Sequence, residues 1–181
     1  MQNKSYMPDR PVIGITMGDP AGIGPEIILS LLSSKEIYSV CIPVVIGCGA
    51  VLDATADLLG VKNPCKRISG PGEIPPGSPA PFLIDLANIH AGEYTVGRIS
   101  AKAGRASVEY LFYAVELAKN GKIHAIVTAP INKEALHLAG YPYAGHTEIL
   151  AEKTGSTNYA MMLVGGPIRV ILVTTHLPLR E

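Results

Sequence analysis

Three stretches of the chain hold residue types that could do chemistry on a small anionic molecule. The first is Gly18-Asp19-Pro20-Ala21-Gly22-Ile23-Gly24-Pro25-Glu26. Gly22 and Gly24 suit backbone conformations that a β-carbon would obstruct, while Pro25 and Glu26 fit the first turn of a helix. A helix starting there exposes amide donors, an arrangement that binds phosphates and carboxylates. The spacing is not the G-x-G-x-x-G of a dinucleotide turn, so a standard Rossmann site is not expected, and a tight turn without a ligand stays an alternative. The second stretch is Thr128-Ala129-Pro130-Ile131-Asn132-Lys133-Glu134, continuing to Gly145-His146-Thr147-Glu148. Lys133 can place a point charge on phosphate or carboxylate, and His146 and Thr147 can donate hydrogen bonds to it. The same residues read equally well as structure, with Thr147 capping a helix and His146 packing at its start. The third stretch is Thr174-Thr175-His176-Leu177-Pro178-Leu179-Arg180. His176, at a strand end beside threonine hydroxyls, could ligate a metal through its imidazole. A lone histidine is more often structural, and no partner ligands are obvious in the chain. His90, His124 and His137 read as loop or surface residues.

These groups need elements to position them. Pro11 to Met17 reads as a buried strand, and a helix follows from about Pro25 to Ser33. Ile42 to Ile46 is a second strand, Val51 to Leu59 a second helix and Phe82 to Leu86 a third strand. Between the last two, Pro64 to Pro81 is rich in Pro and Gly and reads as an exposed connection around a short irregular strand. Ser100 to about Asn120 is the clearest helix. Ser100 suits its cap, and Val108, Leu111, Val115 and Ala118 form an apolar stripe at three- and four-residue steps. Gly121 ends it, and Ile123 to Val127 follows as a strand. This rhythm predicts a mainly parallel sheet over residues 10 to about 130, with helices on both faces. Tyr159 to Val164 and Ile168 to Thr174, joined by Gly165-Gly166-Pro167, read as a β-hairpin and mark a differently built region after about residue 140.

Bulk composition narrows the partners. The 181 residues carry 15 Lys+Arg and 15 Asp+Glu, a formal net charge of zero, and no basic stretch is dense enough to follow a nucleic-acid backbone or an anionic membrane. Neither is expected as a partner. No run approaches the roughly 18 apolar residues of a membrane span, and the polar start lacks a signal-peptide core. Cys41, Cys48 and Cys65 form an odd set without paired spacing, which fits a reducing cytoplasm.

Taken together, MGDPAGIGPE, TAPINKEALHLAGYPYAGHTE and TTHLPLR occur in an order that resembles the 4-hydroxythreonine-4-phosphate dehydrogenase family of pyridoxal phosphate biosynthesis. The resemblance covers essentially the whole chain. The first turn is also similar to that of isopropylmalate and isocitrate dehydrogenases, which implies their three-layer α/β/α fold in two domains. Residues 1–138 would then form the first α/β domain. Residues 139–181 would begin a second, dimerisation and metal-site domain, incomplete here because family members are about twice as long. The resemblance implies that His146 and Thr147 contact the phosphorylated substrate and that Lys133 serves catalysis. It implies that His176 is one of three histidine ligands of a divalent metal (zinc, magnesium or cobalt), the other two lying beyond residue 181. The implied reaction is oxidation of a secondary alcohol by NAD or NADP to a β-keto acid that loses carbon dioxide, in a cytoplasmic homodimer. His146 and His176 would share one cleft, with imidazoles within about 15 Å. The fragment alone is not expected to turn over. Alternatives are relatives acting on phosphorylated threonate or erythronate or on a cis-dihydrodiol, or a non-catalytic domain binding phosphorylated metabolites.

Overall fold

The runs rich in Val and Ile pair side by side, because a strand apolar along its whole length is stable only with both faces covered. The structure is a computed structural model that describes residues 10–174, 178 and 180. Its elements are β1 (Val12–Thr16), α1 (Gly24–Ser33), α2 (Ile37–Val40), β2 (Ile42–Gly47), α3 (Gly49–Leu59), β3 (Lys66–Ile68), β4 (Phe82–Asp85), α4 (Ala101–Lys119), β5 (Ala125–Thr128), α5 (Lys133–Leu138), α6 (His146–Thr154), β6 (Met162–Gly165) and β7 (Ile168–Ile171). The first five strands form one parallel sheet in the order β3-β4-β2-β1-β5. β2 is buried along its whole length, as its IPVVIG sequence demands. The Pro/Gly-rich connection contributes β3, an exposed edge strand.

α4 explains how one element serves two neighbours. Ser100 caps it, its Oγ accepting from the Ala103 amide. Ala103, Ala106, Tyr110 and Ala114 join the core against the sheet. Val108 and Leu111 meet Leu136 of α5 and Ile149 of α6 in a second, smaller core. A helix buried on two adjoining faces must be apolar around much of its girth, leaving Lys102, Arg105 and Glu116 on the exposed remainder. The apolar stripe seen in the sequence thus packs partly on helices, not on the sheet. Gly121 follows the helix with φ +64°, as expected. β5 then starts at Ala125, two residues later than the sequence suggests, because Ile123 turns into the core with 3% exposure.

β6 and β7 form the expected antiparallel hairpin, with Met162 opposite Ile171 and Gly165 opposite Ile168. Both of its faces are solvent-exposed over every residue of the two strands.

The turn after β1 departs from the sequence reading in one respect. Gly18 has φ +71°, and a β-carbon there would collide with the Pro130 carbonyl oxygen. Gly24 is also required, since its β-carbon would strike the Met17 carbonyl oxygen. Gly22 is not required: a β-carbon there would meet Asp19 at an ordinary 3.4 Å. We expect Gly18→Ala to destabilise the fold by more than about 1 kcal/mol, with Gly22→Ala within about 1 kcal/mol of neutral. Denaturant unfolding of the two variants checks this, and equal losses would contradict the assignment.

Candidate functional site at the carboxyl ends of the strands

Parallel pairing places the carboxyl ends of β1 and β5 level, with Thr16 opposite Thr128. The loops that follow are then tied together. The Ala129 amide donates to the Thr16 carbonyl at 3.1 Å, and the Asp19 amide to the Pro130 carbonyl at 2.9 Å. A third loop, between β4 and α4, joins them through the Gly97 amide, which donates to the Ala21 carbonyl at 2.7 Å. The first and second chemical stretches of the sequence therefore meet, at the sheet edge where α/β proteins bind ligands.

Asp19 is 4% exposed. Its Oδ1 accepts the Ala21 amide at 2.8 Å, closing the turn on itself. Burial pushes its carboxyl above the usual range, and the Ala21 bond opposes that shift. Asn132 caps α5, its side-chain oxygen accepting the Ala135 amide at 2.9 Å. Lys133, the first residue of α5, is exposed and forms no ion pair among the described residues.

His146 opens α6 behind Gly145, which supplies no side-chain cap. The capping alternative for Thr147 fails, since Thr147 is the second residue inside the helix and the cap position belongs to Gly145. The His146 ring is half-buried against the end of β5. Burial lowers its pKa below 6.5, and a hydrogen bond to the Ala129 backbone works the other way. Its Nε2 is buried with no hydrogen-bond partner among the described residues. A buried polar atom left unpaired costs about 1–3 kcal/mol, so this nitrogen is suited to a ligand that completes it. The segment leading into α6 is held by Tyr141, edge-on to Phe112 and stacked on Tyr143, and by the Tyr143 hydroxyl donating to Glu152 at 2.9 Å. Thr147 and Glu148 line a cavity of about 250 Å³ whose far wall is made by the two ends of the hairpin, Met161 and Thr174 among them.

His176, the expected metal ligand, lies outside the described residues, as does its expected approach to His146. Among the described residues no group of three His, Cys, Asp or Glu side chains is arranged to hold a metal ion. Two residues that sequence reasoning passed over are at the site. Asp19 was hidden by attention to its glycine neighbours, and Arg98 sits in a loop with no recognisable motif; its only signal is the preceding Gly97, with φ +76°.

A parallel α/β fold that gathers a buried carboxyl and a half-buried histidine at its strand ends has a candidate ligand site at that edge. The model of the family described as pyridoxal phosphate biosynthetic protein PdxA matches residues 39–181. A 4-hydroxythreonine-4-phosphate dehydrogenase of Desulforapulum autotrophicum is 41% identical over 173 residues, covering 96% of this chain and 51% of its own. A D-threonate 4-phosphate dehydrogenase of Cupriavidus necator is 46% identical over 171 residues, covering 94% of this chain and 51% of its own. Among solved structures, a 4-hydroxythreonine-4-phosphate dehydrogenase from Burkholderia phymatum superposes with a TM-score of 0.84 at 45% identity, over 93% of this chain and 51% of that one. The chain belongs to the PdxA family, a family of dehydrogenases, and spans about half the length of the curated relatives it matches. A terephthalate 1,2-cis-dihydrodiol dehydrogenase from Burkholderia xenovorans shares the fold, with a TM-score of 0.72 at 23% identity. Among the described residues no helix is long and apolar enough to cross a membrane.

The lowered pKa of His146 has a defined sign in stability. Its folded value lies below 6.5, so protonation favours the unfolded state. The contribution is intact above pH 6.5 and is lost as pH falls from there toward the folded pKa. His146→Gln should flatten that part of the stability profile in pH-dependent denaturant unfolding. A profile identical to the parent's would show that the ring is not buried neutral.

Proposed function

We propose that the protein carrying this chain is an NAD- or NADP-linked dehydrogenase that oxidises and decarboxylates 4-phosphooxy-L-threonine. The observation that supports this most is His146, at the end of β5 and one residue from Thr147, with a buried Nε2 that is unpaired among the described residues. With its pKa held below 6.5 by burial, the ring is neutral at pH 7 and can exchange a hydrogen bond with a substrate hydroxyl through that nitrogen. The Thr147 hydroxyl can donate to an anionic substrate oxygen. Lys133, exposed and unpaired among the described residues, can bring its charge to the phosphate during catalysis. The bound cofactor would supply the hydride acceptor.

A second reading is favoured by the names of several relatives. Proteins 46% and 43% identical to this chain are named, respectively, as D-threonate 4-phosphate dehydrogenase and its putative counterpart. That substrate carries a hydroxyl where the threonine derivative carries an ammonium group, and the two share the phosphate that Lys133 would meet.

Within this proposal, residues 139–181 begin a second domain, and α6 ties it to α4. His176 would provide one of three histidines for a zinc, magnesium or cobalt ion. The described residues do not themselves form such a site. The intact protein would be a cytoplasmic homodimer, with the apolar hairpin at the interface. Met162 and Leu163 are about half exposed, at 48% and 53%, a degree of exposure over a whole hairpin that suits a covered surface.

Steady-state kinetics on the intact protein with both phosphorylated acids would decide between the substrates, and turnover of neither would sink the proposal. His146→Ala should raise KM at least about tenfold, equivalent to about 1.4 kcal/mol, with metal content unchanged. His176→Ala should instead lose bound metal and slow turnover at least about a hundredfold. Full metal occupancy with a near-normal rate would return His176 to a structural role. Sedimentation should give a dimer for the parent and a shift toward monomer for Leu163→Asp. An active, strictly monomeric parent would contradict the interface.

A further inference from the structure

Gly104 is the fourth residue of α4, in the turn that meets α5. A glycine inside a helix costs about 1 kcal/mol relative to alanine, so its presence there calls for a packing reason. A β-carbon on Gly104 would overlap the carbonyl carbon and oxygen of Ala135 and lie 2.9 Å from the Leu136 amide nitrogen. All three atoms belong to the main chain of α5, so no change of rotamer relieves the overlap, and the helices would have to separate. The contact is otherwise close and dry. Ala103, Ala106, Ser107, Ala135 and Leu136 are all buried, and the Ser107 hydroxyl is satisfied within α4 by donating to the Gly104 carbonyl at 2.7 Å. α5 itself spans only six residues, too few for its internal hydrogen bonds to hold it in place, so its position is set by what it is pressed against. On one side that is Gly104, and on the other Leu136 packs with Val108, Leu111 and Ile149. The start of α5 carries two groups of the candidate site. Asn132, its cap, shares with Asp19 and Arg98 the wall of a cavity of about 290 Å³ among the loops after β1, β4 and β5. Lys133 follows as the first helical residue.

We propose that Gly104 is a positioning residue for Lys133: lacking a side chain, it lets the main chain of α5 lie directly on α4 and so sets the place from which Lys133 reaches the substrate phosphate. The proposal rests on the reading of Lys133 as the group that meets that phosphate. Lys133 has no ion pair among the described residues to hold its ammonium, so its placement comes from the backbone of α5. A methyl group at position 104 would drive α5 outward by on the order of 1 Å before van der Waals contact is restored. A displacement of that size, even far from the chemistry, can cost about a hundredfold where groups must be held in one geometry. The flexible four-carbon stem of a lysine compensates for part of it, which brings the expected loss nearer tenfold. Stability responds differently. Alanine at position 104 favours α4 itself, which offsets part of what the separation of the helices loses. A purely packing role for Gly104 predicts a loss of stability with no effect that depends on Lys133.

The test is a double-mutant cycle on the intact protein, with Gly104→Ala, Lys133→Met and the two combined, read as kcat and KM for the phosphorylated acid at saturating cofactor. Gly104→Ala should lower kcat/KM about tenfold, chiefly by raising KM. In the Lys133→Met background the same substitution should cost less than about twofold, because the group it displaces is gone. Arg105→Ala, one position further along and exposed, should leave KM at the parental value. Equal losses from Gly104→Ala in both backgrounds would overturn the proposal and leave Gly104 a packing residue, and so would an unchanged KM in the single variant. Should Gly104→Ala fail to fold, Leu136→Val takes its place, since it trims the other contact of α5. It should raise KM about threefold alone and leave it unchanged in the Lys133→Met background, and equal effects in both would again overturn the proposal. If Lys133→Met itself keeps the parental kcat/KM, the role given to Lys133 in the functional reading falls, and this proposal with it. If Lys133→Met is impaired and Gly104→Ala is not, that reading stands and the proposal alone falls.

Discussion

β1 and β5 are separated by more than a hundred residues of chain, yet their parallel pairing is the constraint on which the candidate site rests. Thr16 and Thr128 lie opposite each other, and the hydrogen bonds from Ala129 and Asp19 continue that pairing past the strands into the loops. Backbone donors and acceptors that would otherwise be stranded at a buried sheet edge are thereby satisfied. The left-handed Gly18 turn is shaped by the same contact, since only a glycine lets the first loop lie against the Pro130 carbonyl. The β4–α4 loop then docks on Ala21 and brings Arg98 and Ile99 alongside. A one-residue slip between β1 and β5 would dismantle both of the attachments that cross that pairing.

α4 supplies the second support. Because it packs on the sheet through one face and on α5 and α6 through another, it sets His146 at a fixed height relative to β5. The two cavities flank this arrangement. One lies among the loops of the parallel sheet, and the other between α6 and the hairpin.

Much of the sheet was legible in the sequence because its strands are short Val- and Ile-rich runs bounded by turn residues, and the Ser100 cap and the hairpin were legible for similar local reasons. What was not legible depends on distant contacts. Nothing near Gly18 or Gly22 tells which of them must lack a β-carbon, because the obstructing atom belongs to Pro130. The stripe holding Val108 and Leu111 does not say in the sequence what it packs on, and only the arrival of Leu136 and Ile149 shows that it meets helices. His146 and Thr147 could be named as polar groups near a strand end. The burial that leaves one nitrogen unpaired is a property of the packed fold. Arg98 has no motif around it, so its significance emerges only from the cavity it lines.

The order of strands in the sheet also bears on how the chain acquires its shape. β1 can pair with β2 as soon as some thirty residues separate them, but its other edge stays open until β5 is available. Closing so long a loop is entropically costly, and folds dominated by such pairings form slowly. During synthesis the VIGIT strand would therefore wait, half-paired and apolar, while the Pro/Gly-rich connection and the long α4 helix are being made. That interval exposes an unpaired parallel edge, the kind of surface that chaperones shield and that seeds misassembly when they do not.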